Sequence, residues 1–129
     1  MQAIFSIAIG AICGALIRWK LGEHANHIFP TIPLGTLIAN LLGSFLMGAF
    51  LFFTTKHAFL SYEVRLAVIT GFLGSLTTFS TFSAEALELI SKQELLWFSA
   101  LVGLHVGGSI LTAALGYAFS KFIFQTIGG

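Results

Sequence analysis

Charge is scarce in this chain. Of 129 residues only 9% are Asp, Glu, Lys or Arg, against about 25% in an ordinary soluble domain. Hydrophobic residues make up 57%. One domain of this length cannot hide so much apolar surface from water, because its outside would have to be greasy as well. A soluble globular enzyme and a disordered tail are therefore excluded, and a small integral membrane protein remains. The six Lys and Arg are scattered singly and the formal net charge is +1, which excludes a basic arm for nucleic acid. A single cysteine, Cys13, excludes an internal disulfide framework and a cysteine-based metal cluster. It reads as a small apolar helix residue. No positively charged stretch precedes the apolar run from Ala3 to Ile17, and Arg18 and Lys20 follow it. The run therefore reads as a retained first span and not as a processed leader.

What the chain does have is long hydrophobic runs. A spanning helix needs about 17–25 mostly apolar residues, and four segments qualify within a single domain over 1–129. Their approximate limits are 2–20, 33–54, 61–89 and 95–124. The polar stretch from Gly22 to His27, ending at Pro30 and Pro33, separates the first two. Pro33 suits the first turn of a helix, where its missing N–H is not needed. Lys56 and His57 close the second span. Ser61 can cap the third, and Glu63 suits the positive end of its dipole.

The centre of the third span is unlike the rest. It reads Gly71-Phe72-Leu73-Gly74-Ser75-Leu76-Thr77-Thr78-Phe79-Ser80-Thr81-Phe82-Ser83, the most polar and glycine-flanked stretch of any span. In lipid every backbone polar group must be satisfied, so an interrupted helix survives only where it lines a cavity or is buried in protein. Broken mid-membrane helices build ion sites, their N-terminal ends attracting anions and their unwound carbonyls cations. The other reading is an intact helix whose Ser and Thr bond back to their own turn.

The charge pattern gives no instruction about orientation. One side of the membrane would hold Lys56, Arg65 and Lys121, and the other Arg18, Lys20 and Lys92. The positive-inside rule thus finds three cations against three. The expectation is dual topology, with both orientations made and paired as an antiparallel homodimer. Gly10 with Gly14 and Gly103 with Gly107 form two GxxxG pairs, and Ser44 with Gly48 a looser one. Such pairs let helix backbones approach closely, either within the chain or between copies.

Polar residues in a span need a partner or a task. Asn40 lies in an otherwise apolar second span, one turn after Thr36, where its amide must bond a neighbouring helix or a permeant species. His105 and Ser109 share a face of the fourth span. Glu85 and Glu88 fall near the end of the third, where solvation at the interface accounts for them. Arg18 either snorkels to the headgroups or raises the anion concentration at a pore mouth. Phe79 and Phe82 share a helix face beside a run of hydroxyls. A phenyl edge is positive, so ring edges, hydroxyls and an amide can together replace the water shell of a small anion. Neutral donors of this kind also let the ion leave.

The third-span segment from Gly71 to Glu85 closely resembles the signature of the small bacterial fluoride channels, the Fluc or CrcB family. Gly14 with Arg18-Trp19, the run from Pro33 to Asn40, and His105-Val106-Gly107-Gly108-Ser109 resemble it too, so the likeness covers the whole chain in order. The resemblance implies an all-α integral membrane protein of four transmembrane helices, the third broken near mid-membrane, in an antiparallel dual-topology homodimer of the bacterial inner membrane. It implies passive, fluoride-selective export through two pores and no enzymatic activity. By position it gives the fluoride route to Phe79, Phe82 and Asn40, with Ser80, Thr81, Thr36 and Ser109 as a polar track and Arg18 in the vestibule. It gives a structural sodium ion on the dimer axis to the backbone carbonyls of Gly74 and Thr77, a donor set that suits a hard cation. Ser75 stands where the family usually has glycine.

The nearest rival is a small dual-topology proton-coupled multidrug exporter. It needs a titratable carboxylate deep in a span, and the interiors of the first, second and fourth spans have none. A subunit that serves packing alone leaves the Thr-Thr-Phe-Ser-Thr-Phe-Ser cluster without a task. No phosphate-binding GxxxxGK[ST] motif is present for an energised pump.

Overall fold

A computed structural model of the chain describes residues 1–56 and 60–127; His57, expected to help close the second span, lies outside them. The described residues form helices α1 (Gln2–Ala25), α2 (Leu34–Lys56), α3 (62–76), α4 (Phe79–Ser91) and α5 (Leu95–Ile127). Together α3 and α4 make up the third of four segments long and apolar enough to cross a membrane. The outward surface is rich in Ile, Leu and Phe, as lipid contact requires.

Local chemistry sets the ends of these helices. Helix α1 continues five residues past Lys20, and Lys20 pairs with Glu23 at 2.8 Å across one turn of this extension. A glycine such as Gly22 costs a helix only about 1 kcal/mol. Asn26 ends α1, and its Oδ1 accepts the Thr36 backbone N–H at 3.0 Å, tying the first turn of α2 to the end of α1. Ser61 caps α3 by accepting the Val64 N–H, as its position in the sequence predicts. After α4 the chain reverses through Gln93, at φ 59°, the one non-glycine with positive φ among the described residues. The Glu94 N–H then reaches back to the Leu89 carbonyl at 2.9 Å.

Two segments are wound more widely than an α-helix. In 66–73 and 103–107 the closing amides reach back five residues, Gly74 to Ile69 and Gly108 to Gly103. Such insertions cluster at functional sites, and the second contributes His105 and Val106 to the groove described below.

Glycines decide which helices touch backbone to backbone. A methyl at Gly10 or Gly14 would overlap the carbonyl of Ala67 or Phe72 on α3. A methyl at Gly48 of α2 would overlap the Ala113 carbonyl of α5, and one at Gly116 of α5 the Phe45 carbonyl of α2. These contacts pair α1 with α3 and α2 with α5, and Gly35 of α2, where a methyl would overlap the Leu21 carbonyl of α1, joins the two pairs. Between them Leu73, Leu76 and Ala39 are buried beside the junction of α3 and α4. A second core gathers Ile32, Leu37, Phe82, Leu89 and Leu101 along α4. A methyl at Gly103 or Gly107 of the other GxxxG pair would meet nothing from another helix within 4 Å among the described residues.

Candidate functional site

The third span is interrupted. Thr77 and Thr78 leave helical geometry, with ψ of 153° and 113°, between the end of α3 and the start of α4. An interruption of this kind frees carbonyls on one side and amides on the other. Other side chains take up several of these groups. The Thr78 N–H, which a continuous helix would give to Gly74, donates to Asn40 Oδ1 at 2.7 Å. Asn40 Nδ2 donates back to the Thr78 carbonyl at 3.1 Å. The Ser75 carbonyl accepts from Arg18 Nε at 2.9 Å. Thr78 caps α4, its Oγ1 accepting the Thr81 N–H at 3.1 Å and donating to Thr81 Oγ1 at 2.9 Å. Ser80 Oγ lies 3.4 Å from the same Thr78 hydroxyl.

The diversions leave a pattern. Gly74 loses the Thr78 amide to Asn40, and Thr77 loses the Thr81 amide to the Thr78 hydroxyl. These are the two carbonyls that the family resemblance assigns to a cation. Among the described residues no three His, Cys, Asp or Glu side chains gather to hold a metal.

Two cavities meet at Thr78. One is a groove of about 410 Å³ whose walls include Asn40, Phe79, Phe82, His105 and Ser109. The other, of about 390 Å³, is walled by Arg18, Asn26, Thr36, Thr78 and Thr81 among others. Glu23 also borders this second cavity but is paired with Lys20, whereas Arg18 makes no ion pair among the described residues, so the arginine is the charge there available to an anion. The Arg18 side chain reaches the break through the bond to the Ser75 carbonyl.

In the groove the Phe79 and Phe82 rings lie 5.5 Å apart at 57°. Phe82 is buried, whereas Phe79 is 77% exposed on the single chain. The His105 ring lies 4.8 Å from Phe82 and 30° from parallel, and His105 Nδ1 is 3.0 Å from Asn40 Nδ2. Ser109 borders the groove one turn along α5 from His105. The two residues share a wall, as their spacing predicts.

Glu85 is half-buried and more than a solvated carboxylate: Thr36 Oγ1 donates to its Oε1 at 2.6 Å, and its Oε2 is buried with no hydrogen-bond partner among the described residues. Glu88 fits the expectation, exposed and paired with Lys92 at 2.6 Å. The Glu88 carboxylate in turn holds the Lys92 ammonium above its ordinary pKa. Glu85 and Glu88 border a third, smaller cavity of about 150 Å³ with Pro30 and Glu94. Reading the sequence along its length misses the Asn40–His105 contact and the Thr36–Glu85 pair, because the partners lie 65 and 49 residues apart. It also passes over Thr78, whose backbone and hydroxyl serve both cavities.

A mid-membrane helix break held by side chains of neighbouring helices, with hydroxyls, ring edges and an unpaired arginine around it, defines a membrane ion-transport protein. The chain belongs to the family of CrcB-like proteins, Camphor Resistance (CrcB), which it matches over residues 5–117. It is 46% identical over 123 residues to the fluoride-specific ion channel FluC of Pseudomonas putida (strain W619), covering 95% of this chain and 97% of that one. It is 49% identical over 118 residues to FluC of Tolumonas auensis, covering 92% and 93%. It is 44% identical over 125 residues to FluC of Nitrosospira multiformis, covering 97% and 98%.

Proposed function

We propose that this chain is a fluoride-specific ion channel, not an enzyme, which lets cytoplasmic fluoride leave passively as an antiparallel homodimer. The observation that carries the ion's identity is the near full-length likeness to FluC channels. The geometry supports it. A bare anion in a low-dielectric medium costs tens of kcal/mol by Born estimates. The Arg18 cavity concentrates anions, the hydroxyls of Thr36, Thr78, Ser80 and Thr81 offer donors beside the break, and the groove adds Asn40, Ser109 and the edges of Phe79 and Phe82. Each replaces part of the water shell, and none holds the ion as tightly as a buried lysine would.

Two features favour a second copy. Phe79, a wall of the groove, projects from the single chain, where a second copy could cover it. Gly103 and Gly107 leave an open stretch on α5 where a backbone can approach. The balanced cations allow that copy to be inverted. At the axis of such a pair the Gly74 and Thr77 carbonyls of both copies would hold a sodium ion. Its positive charge would offset the carbonyl dipoles that the break leaves without donors.

Export needs no energy source. Hydrogen fluoride crosses bilayers neutral and ionises in a near-neutral cytoplasm. A negative interior then drives the anion out through any selective pore. One charge across 100 mV corresponds to about 2.3 kcal/mol, or about a fiftyfold gradient.

The test is efflux from liposomes loaded with fluoride and chloride, followed by ion-selective electrodes under a potassium–valinomycin clamp. Fast fluoride release with chloride retained is the expected result. A folded, dimeric sample that releases neither ion overturns the reading.

A further inference from the structure

The hydrogen bonds around Asn40 determine the position of a proton that no coordinate records. On the backbone, donors and acceptors are not interchangeable. The Thr78 N–H can only donate, so the Asn40 atom 2.7 Å from it is the carbonyl oxygen. The Thr78 carbonyl can only accept, so the atom 3.1 Å from it is the amide nitrogen. Two independent bonds thus fix the orientation of the amide, normally the ambiguous feature of an asparagine. The nitrogen carries two hydrogens. One goes to the Thr78 carbonyl, and the other faces His105 Nδ1 at 3.0 Å.

His105 Nδ1 must therefore accept, since a proton on it would set donor against donor. In the neutral ring the proton then sits on Nε2. Nε2 is buried and finds no acceptor among the described residues. That is an unfavourable place for a donor, and a phenylalanine there would stack on Phe82 without it. Histidine contributes the acceptor at Nδ1, which a phenyl ring lacks.

We propose that His105 is a positioning residue of the permeation site: locked as the neutral Nε2–H tautomer, it holds the Asn40 amide in the orientation that clamps Thr78 and keeps the helix break in its conducting form. It acts through Asn40 and does not need to touch the ion. Asn40 is the hinge pin of the arrangement, held by α5 on one side and holding the third span on the other. The proposal rests on the fluoride-channel reading for its effect on current, but not for the position of the proton.

Two measurements test it. Protein labelled with ¹⁵N only in histidine has four imidazole rings, and the His105→Gln spectrum identifies the one at position 105. The expected result is a pyridine-type Nδ1 and a pyrrole-type Nε2. A protonated Nδ1 overturns the proposal, whatever the channel conducts. The second measurement is single-channel fluoride current in planar bilayers, which neutral hydrogen fluoride does not carry. His105→Phe keeps the ring against Phe82 and removes the acceptor, leaving an amide hydrogen buried and unpaired. The current should fall about tenfold or more. His105→Gln offers a side-chain carbonyl to the same amide hydrogen and should restore most of it. His105→Phe should add little to Asn40→Ala, because His105 acts only through Asn40. If the effects of Asn40→Ala and His105→Phe multiply, or if His105→Phe conducts like the native chain, His105 does not work through Asn40. A native chain that passes no fluoride defeats the channel reading instead, and the ring spectrum still decides the tautomer. Should His105→Phe fail to fold, the spectrum of the native protein remains decisive.

Discussion

The chain carries the same small-residue motif twice, with opposite outcomes. At Gly10 and Gly14 the absent side chains are filled by the backbone of α3, close enough that a single methyl would overlap a carbonyl oxygen. At Gly103 and Gly107 the space stays open, in a widely wound stretch of α5. Spacing alone marks a face that a neighbour can approach. It does not say whether the neighbour belongs to the same chain. What separates the two pairs is local pattern: α1 meets Ala67, Gly71 and Phe72, and Gly71 reciprocates by lying against the Ile7 carbonyl.

The difference can be broken deliberately. Gly14→Leu carries the largest expected effect. Overpacking a close helix contact costs about 3 kcal/mol or more, and here the obstacle is backbone that cannot rotate away. The chain should fail to give a monodisperse species on extraction into detergent. Recovery of a native-like Gly14→Leu protein would show that α1 and α3 are not held as closely as described.

The paired substitution of Gly103 and Gly107 by Leu should behave otherwise. The helical content and thermal unfolding of the single chain should hardly change. The dimer should be lost, read by cross-linking and size-exclusion chromatography, and fluoride flux with it. A double variant that still dimerises would move the second copy to another face of the chain.

Asn40→Ala is expected to be intermediate. It leaves the Thr78 N–H and carbonyl buried and unpaired, at about 1–3 kcal/mol each. Fluoride flux should fall by well over an order of magnitude, while the protein still inserts and extracts as a folded species. Full flux from Asn40→Ala would mean that the break holds without its clamp.

Lys92→Ala gives the smallest effect. It removes an exposed pair with Glu88 from the turn after α4, and flux should match the native chain. A measurable change would tie the small cavity beside Glu85 and Glu88 to permeation.

Much of this was legible in the sequence, and for identifiable reasons. Four apolar runs are a consequence of bilayer thickness, so their number and order can be read directly. The site of interruption was legible as a place, since Thr-Thr-Phe-Ser-Thr-Phe-Ser is too polar for an ordinary lipid-facing turn. Whether the helix broke there was open between two readings, because Ser and Thr can satisfy themselves locally. Thr77 and Ser83 do so, bonding the carbonyls of Leu73 and Phe79. Thr78 does not: it caps the second half instead. Arg18 was legible as a charge but not as a partner of the break, since its acceptor is a carbonyl 57 residues away. Glu85 was legible as a residue near a span's end, but not its bond to Thr36, which comes from the start of a different helix. The extra turns of α1 carry an ion pair and end at Asn26, past the breaker signal of Gly22.

The bonds that hold the break also bear on how the protein is made. Its clamps come from Arg18 in the first span, Asn40 in the second and His105 in the fourth. When the third span leaves the ribosome, the first two are already synthesised and can receive the unpaired backbone around Ser75 and Thr78. The contact to His105 has to wait for the last span. The interruption thus becomes acceptable to lipid one partner at a time, in the order of translation. A chain truncated before α5 would reach the membrane with its broken helix held only in part, which makes the fourth span the step that completes assembly.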